Sequence, residues 1–283
     1  MKKIMYVLSM IVLLLLIFTG CSNKTKESSG EGKVFRTLDK IKKSKKVIIG
    51  VFSDKKPFSY IDEKGNYQGY DVYFANRLGK DLGVKIEYVP TDAANRAEYL
   101  KTGKVDIILA NFTVTKERKE VVDFSLPYQK VSLGIISPDN ALIKDVKDLK
   151  SKTLIVAKGT TADTYFTKKH PKIKLLKFEQ YQEIFQALLD KRGAAIATDN
   201  TEALAWIAKN KGFSVGIKSL GDVDTIAAAV SKGNKTLLDF INEDIEKLAK
   251  EQFFHKNFET TLKPVYKNSA TPDDIVVEDG KVE

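Results

Sequence analysis

Gly103 to Tyr128, GKVDIILANFTVTKERKEVVDFSLPY, is the stretch whose reading decides the fold. Lys104 to Asn111 is an apolar run expected to form a strand buried on both faces. Thr115 is placed to cap a short helix opening at Lys116-Glu117-Arg118, and Val121 to Ser125 turns extended and aromatic again. A strand that runs into a helix start brings unpaired amide N–H groups, small hydroxyls and one guanidinium to a single point. That chemistry suits a carboxylate. A plainer reading stays open: Arg118 could simply pair with Glu117 or Asp123.

Around this stretch the pattern is repetitive. Leu38 to Ser44 reads as a helix and Lys46 to Phe52 as a buried strand. Pro57 to Tyr60 and Glu63 to Asn66 read as loop and turn, with Lys55 on the surface. A helix follows from Asp71, a possible N-cap, through Leu82 to a stop at Gly83. Val84 to Val89 is the next strand and Asp92 to Lys101 a short helix. This alternation predicts an α/β fold with a parallel sheet.

The alternation restarts after Lys130. Strands are expected at Val131–Ser137, Thr153–Ala157, Ile173–Phe178 and Gly193–Thr198, with helices after Thr161, Tyr181 and Thr201. Gly212–Lys218 and Asp224–Ser231 read as two more strands, and Asn234 to Phe254 as one long amphipathic helix. The tail from Thr271 to Glu283 is acidic and poor in core-forming residues. Asp199, at a strand exit, either caps the following helix or meets a cation.

The amino terminus reads as an address. Met1-Lys2-Lys3 precedes an apolar run from Ile4 to Phe18, which ends in Thr19-Gly20-Cys21. The layout is that of a secretory signal peptide over residues 1–20. Cys21 resembles the lipidated cysteine of a bacterial lipobox, although Phe18 departs from the leucine usual there. Cys21 is the only cysteine in the chain, so no internal disulfide can form. Residues 21–35 are polar and Ser/Gly-rich, a tether with a reach of roughly 20 Å. The expectation is an exported protein, lipid-anchored to the membrane; an ordinary signal peptide followed by a chance cysteine is the plainer reading.

The net charge of +10 falls to +8 without Lys2 and Lys3. The lysines are scattered, with no basic helix or arginine run to track phosphates, so nucleic acid is not the expected partner. There is no zinc spacing, phosphate loop or Gly-x-Ser-x-Gly motif. His170 and His255 sit in lysine-rich, exposed-looking surroundings. No metal or cofactor is expected.

The 103–128 stretch, Pro57-Phe58 and Gly69-Tyr70-Asp71-Val72, in this order and spacing, resemble the extracytoplasmic amino-acid-binding proteins of ABC importers (type II, family 3 solute-binding proteins). The resemblance runs from about Lys40 to about Phe258. It implies a two-lobed fold, with lobe 1 at 36–131 and 231–283 and lobe 2 at 132–230. The chain would cross twice, near Lys130–Gly134 and Thr225–Val230, forming a two-strand hinge beside a ligand cleft.

It further implies that Arg118 grips the ligand α-carboxylate, assisted by Thr113, Gly159 and the Thr161 amide, while Asp199 binds the α-ammonium. Arg96 would help read the ligand, with Asn111, Phe112 and Phe52 around it. The Ala93-Ala94-Asn95-Arg96 and Asn111-Phe112-Thr113-Val114-Thr115 runs are most similar to the cysteine-binding branch. The implied ligand is cysteine or cystine, with glutamate, aspartate or glutamine as the alternative. The implied partner is an ABC permease, and the protein would act as a monomer without enzymatic activity. The competing class is a cyclohexadienyl dehydratase-like enzyme on the same fold.

Overall fold

The computed structural model describes Phe35 to Val282. The expectations for the signal peptide, Cys21 and the tether before Phe35 lie outside the described residues. Among those described, no helix is long and apolar enough to cross a membrane.

Helix α1 (Leu38–Ser44) leads into β1 (Lys46–Val51), whose buried Val47, Ile49 and Val51 fix it inside a sheet. The next stretch, expected as loop and turn, instead forms a three-stranded sheet: β2 (Asp54–Lys55), β3 (Ser59–Ile61) and β4 (Tyr67–Gln68). Its strands are two or three residues long, too short to show an alternating pattern. Helix α2 (Tyr70–Leu82) starts one residue before Asp71, with Gly69 at the cap position, and stops at left-handed Gly83.

Then come β5 (Lys85–Pro90), α3 (Arg96–Lys101), β6 (Ile107–Ile108) and α4 (Lys116–Val121). The run from Val105 to Thr113 is buried as expected, but only Ile107 and Ile108 pair as strand. Beyond them Leu109 N–H still donates to Gly50 O, Asn111 takes a left-handed φ of 44°, and Thr113 meets Ile226 of β11 in an isolated antiparallel bridge.

Two strands dominate the topology. Strand β7 (Val122–Pro138) has 17 residues. After it come β8 (Thr153–Ala157), α5 (Thr161–Lys169), β9 (Lys174–Phe178), α6 (Tyr181–Leu189), β10 (Ala195–Asp199) and α7 (Asn200–Ile207). Strand β11 (Phe213–Ser231) has 19 residues, so the two strands expected in this stretch are one. It runs antiparallel to β7 from Phe213 opposite Pro138 to Ser231 opposite Val122, with register shifts in between. Such shifts bend and twist a ribbon without ending it, and a reading by hydrophobicity sees the polar bend as a gap.

The sheet order is β5-β1-β6-β11-β7-β10-β8-β9. One end of the ribbon pairs with β6 through Ala229 and Val230. The other end pairs with β10 through Ile135 and Ile136. The fold is therefore two-lobed α/β, and β7 and β11 connect the lobes.

The first lobe buries Ile49, Phe74, Leu78, Tyr128, Ile241 and Phe254 in one cluster, and the second buries Ile135, Leu154, Val156 and Phe166 in another. Each such side chain contributes about 1.5–3 kcal/mol on leaving water. A third cluster takes Phe52, Val105 and Phe112 from one lobe and Ile155, Tyr181 and Ile184 from the other. The lobes are thus closed on each other.

The carboxyl-terminal part returns to the first lobe. Helix α8 (Lys235–Ala249) buries Leu237, Ile241, Ile245 and Leu248, but it ends before Phe254. Gln252 takes a left-handed φ of 53°, and a separate α9 (Phe253–Asn257) follows. A short π turn, α10 (Lys263–Tyr266) and α11 (Pro272–Ile275) complete the chain. The acidic tail packs: Ile275, Val276 and Val277 are buried, and Val277 N–H donates to Tyr128 O on β7 at 3.2 Å. The histidines are half-buried rather than exposed. His255 Nδ1 lies 2.6 Å from Glu278, and His170 packs on Tyr165 and Phe166.

Candidate functional site

Thr115 caps α4 by accepting the Arg118 N–H at 3.2 Å, and this turns the Arg118 side chain back over the strand exit. Its Nη1 donates to Thr113 O at 2.8 Å, and its Nη2 crosses the cleft to Gly159 O at 3.1 Å. The guanidinium lies 4.8 Å from the Phe112 ring centroid. The plainer pairing is not made, since Glu117 pairs with Lys168 and Asp123 with Lys232. Among the described residues, no carboxylate lies within ion-pair distance of Arg118 or Arg96. Burial first, and then the nearby Arg96 cation, push Arg118 down to about 9. A cation so placed is stabilised by an incoming anion.

Arg96 is buried at the start of α3. Its Nε donates to Ala93 O at 3.1 Å, and its Nη1 to Ala110 O and Asn111 O at 2.9 and 3.0 Å. The guanidinium stacks 4.2 Å from the Phe112 centroid and 5.5 Å from that of Phe52. Much of its fork is thus committed to backbone, where it stitches the exit of β6 to α3.

Asn111 completes that exit. Its N–H donates to Asp71 Oδ2 at 2.8 Å, which holds the left-handed turn that asparagine tolerates better than most residues. Asp71 also accepts from Tyr128 Oη at 2.7 Å, so it points inward instead of capping α2. Burial raises its carboxyl to about 6, against the lowering effect of the Tyr128 and Asn111 hydrogen bonds. The folded state therefore takes up this proton at higher pH than the unfolded chain does. The wild type should gain up to about 3 kcal/mol relative to Asp71→Asn as pH falls from 7 to 4. Denaturant melts of both proteins across that range check this; a pH-independent gap would contradict it.

From the second lobe, Thr160 caps α5 by accepting the Asp163 N–H at 3.2 Å, leaving Thr161 as the first helical residue. An amide there has no partner within its own helix and favours negative charge. Gly159 has a φ of +75°, and a Cβ on it would stand 2.6 Å from Ala94 Cα in the other lobe. Gly159→Ala should therefore hold the lobes apart and weaken ligand binding by at least about tenfold. Small-angle scattering should show a more open protein; unchanged affinity and shape would contradict this.

Asp199, at the end of β10, occupies the cap position of α7 but makes no capping hydrogen bond. Its Oδ2 instead accepts from Asn111 Nδ2 at 2.7 Å and lies 3.2 Å from Lys55 Nζ. Arg118, Gly159 and Thr161 thus line one groove, while Thr113, Asn111, Phe112, Arg96, Phe52 and Asp199 are buried at the contact between the lobes. Phe52 meets Tyr181 edge-on across it, with centroids 5.2 Å apart. Arg118, Gly159, Thr161 and Asp224 line a groove of about 710 Å³ at one end.

Lys55, expected on the surface, is fully buried. Its Nζ lies 2.7 Å from Glu202 Oε2 and 3.7 Å from the Tyr181 centroid. Burial, the largest single influence, would lower the Lys55 ammonium, but Glu202, Tyr181 and Asp199 together outweigh it and the net shift is upward. Burial raises the Glu202 carboxyl, with Asp199 adding to the rise and Lys55 opposing it. The neighbouring Lys56 faces Tyr60, and nothing in Asp54-Lys55-Lys56-Pro57 distinguishes one lysine from the other. The available signal lay in Glu202, a single carboxylate inside the apolar helix TEALAWI, which needs a buried cation. Among the described residues, no group of three or more His, Cys, Asp and Glu side chains could hold a metal ion.

The model of the bacterial extracellular solute-binding proteins, family 3, matches residues 47–261. The solved structure of a solute receptor for L-cysteine from Neisseria gonorrhoeae is 50% identical with a TM-score of 0.84, covering 86% of this chain and 100% of that one. The cysteine-binding protein from Campylobacter jejuni is 54% identical, also at 0.84, covering 85% and 98%. A glutamine-binding protein of a Bacillus subtilis ABC transporter is 30% identical, over 93% of this chain and 98% of its own. With the match spanning most of the described residues, this chain belongs to the bacterial extracellular solute-binding proteins, family 3.

Proposed function

We propose that the protein captures a free amino acid outside the cell and delivers it to an ABC permease, and that the amino acid is cysteine or cystine. The observation that carries this is a pair of opposite charges contributed by the two lobes to one cleft. Among the described residues Arg118 has no carboxylate to pair with, whereas Asp199 presents a carboxylate where a helix cap would ordinarily use it. A ligand carboxylate between Arg118 and the Thr161 amide, with its ammonium on Asp199, satisfies both groups at once. Thr113, Gly159 and Asn111 set the spacing, and Phe112, Phe52 and Arg96 wall the pocket. Only a ligand carrying both charges favours closure from both sides, which is how binding shifts a two-state hinge.

The choice of cysteine or cystine rests on the solved relatives at 50% and 54% identity, whose names state cysteine, and on the apolar Phe52–Tyr181 wall. On this reading lobe 1 comprises 36–131 and 231–283 and lobe 2 comprises 132–230. The signal peptide is removed and Cys21 carries the lipid that keeps the protein, as a monomer, at the extracytoplasmic face. The protein is a carrier rather than an enzyme, a reading supported by the solute-binding family and by the binding proteins it resembles.

Calorimetry against the twenty amino acids and cystine, after refolding to strip carried-over ligand, tests this. One-to-one binding with cysteine or cystine the tightest is the expected result. Glutamine winning would overturn the ligand and keep the clamp; no binding by any of them would overturn the amino-acid reading.

A further inference from the structure

We propose that the buried Lys55–Glu202 pair restricts this cleft to amino acids whose side chains carry no net charge, an inference that rests on the amino-acid reading above. Lys55 comes from β2 in the first lobe, Glu202 from α7 in the second, and their side chains are 0% and 1% exposed. A fully buried ion pair is often no more stabilising than an apolar pair of similar volume, because both ions lose their hydration. Fold stability alone therefore gives little reason for it here.

Its position gives a better one. Lys55 Nζ divides its contacts between Glu202 Oε2 at 2.7 Å, Asp199 Oδ2 at 3.2 Å and the face of Tyr181. It shares with the ligand ammonium the very carboxylate that the clamp uses, so the pair sits beside the bound molecule. Glu202 Oε1 is buried and makes no hydrogen bond.

Around the ligand the charges pair off: Lys55 with Glu202, Asp199 with the ligand ammonium and Arg118 with the ligand carboxylate. A zwitterion adds no net charge. A cationic side chain would add an unmatched positive charge next to Lys55, and an anionic one an unmatched negative charge next to Glu202. An unpaired charge in such surroundings is strongly disfavoured. Specificity of this kind works by repelling the wrong ligand rather than by gripping the right one.

Titration of the purified chain with cysteine, glutamine, glutamate, aspartate, arginine and lysine tests the filter. The wild type should bind every charged side chain at least about 100-fold more weakly than its best neutral ligand. Lys55→Met should improve arginine and lysine relative to that neutral ligand by at least about tenfold, and Glu202→Gln should do the same for glutamate and aspartate. A wild type that takes glutamate or arginine within tenfold of its best neutral ligand overturns the proposal, as do folded variants with wild-type ratios. Should the variants fail to fold, the wild-type ratios decide. Neutral ligands bound with the predicted ratios absent overturn the filter alone, whereas no amino acid bound at all overturns the reading beneath it as well.

Discussion

Arg118→Ala weakens amino-acid binding by about 3–5 kcal/mol, the expected loss when one partner leaves a desolvated, hydrogen-bonded charge pair. The carboxylate of the ligand would face the cleft with only the Thr161 amide and small hydroxyls to meet it. The protein without ligand should be little affected, because Arg118 is half-buried, has no carboxylate partner among the described residues, and gives its two hydrogen bonds to backbone carbonyls. The thermal shift given by saturating ligand should therefore shrink while the unliganded midpoint stays nearly constant. Arg118→Lys keeps the charge but loses the planar fork, and it should recover only part of the affinity. Calorimetry and melting curves of the three proteins measure both quantities. An Arg118→Ala affinity within twofold of wild type would show that the carboxylate binds elsewhere.

Asp199→Asn should cost about 2–5 kcal/mol of affinity for the same reason, with the sign of the charge reversed. The substitution keeps the shape of the side chain. Lys55 retains Glu202 at 2.7 Å, so the variant should fold. Asn111 loses a charged acceptor for its Nδ2, and part of the loss will come through looser closure of the lobes. A double-mutant cycle with Arg118→Ala separates the two effects. Charges gripped by one rigid ligand should couple, and losses that simply add would mean that the two residues act independently. Unchanged affinity in Asp199→Asn would return this residue to the plain role of a helix-start residue.

Much of the architecture was legible because it is local. The helices and strands of both lobes follow from periodicity, from Gly83 as a stop and from Thr115 as a cap, each of which the structure shows in place. What escaped was set by distant pairing. Ile107–Ile108 is a short strand because its neighbours in the sheet allow only two residues of register. The bend that splits the apolar pattern of β11 is carried by its pairing with β7, and no local rule shows that the ladder continues through it. The helix that ends at Ala249 stops at a left-handed Gln252, a residue type that does not announce such a turn.

The site divides in the same way. Arg118, Gly159 and Thr161 sit at strand-to-helix junctions, where the sequence shows both the junction and the chemistry. Lys55 became visible only when the fold placed it against Glu202, 147 residues away. Asp71 looked like a cap until Asn111 and Tyr128 claimed its two oxygens. Buried polar groups acquire their partners from the closed lobes, and the sequence of one lobe does not contain the other.

The proposed clamp holds both ends of the ligand backbone, one from each lobe. Titration of the wild-type protein with L-cysteine, 3-mercaptopropionate and cysteamine tests it most directly, because the analogues delete the ammonium and the carboxylate in turn. Each analogue should bind at least about 100-fold more weakly than cysteine, in line with the loss of one desolvated charge contact. An analogue that bound within a few-fold of cysteine would contradict it and free the corresponding residue, Asp199 or Arg118, from its role in the clamp.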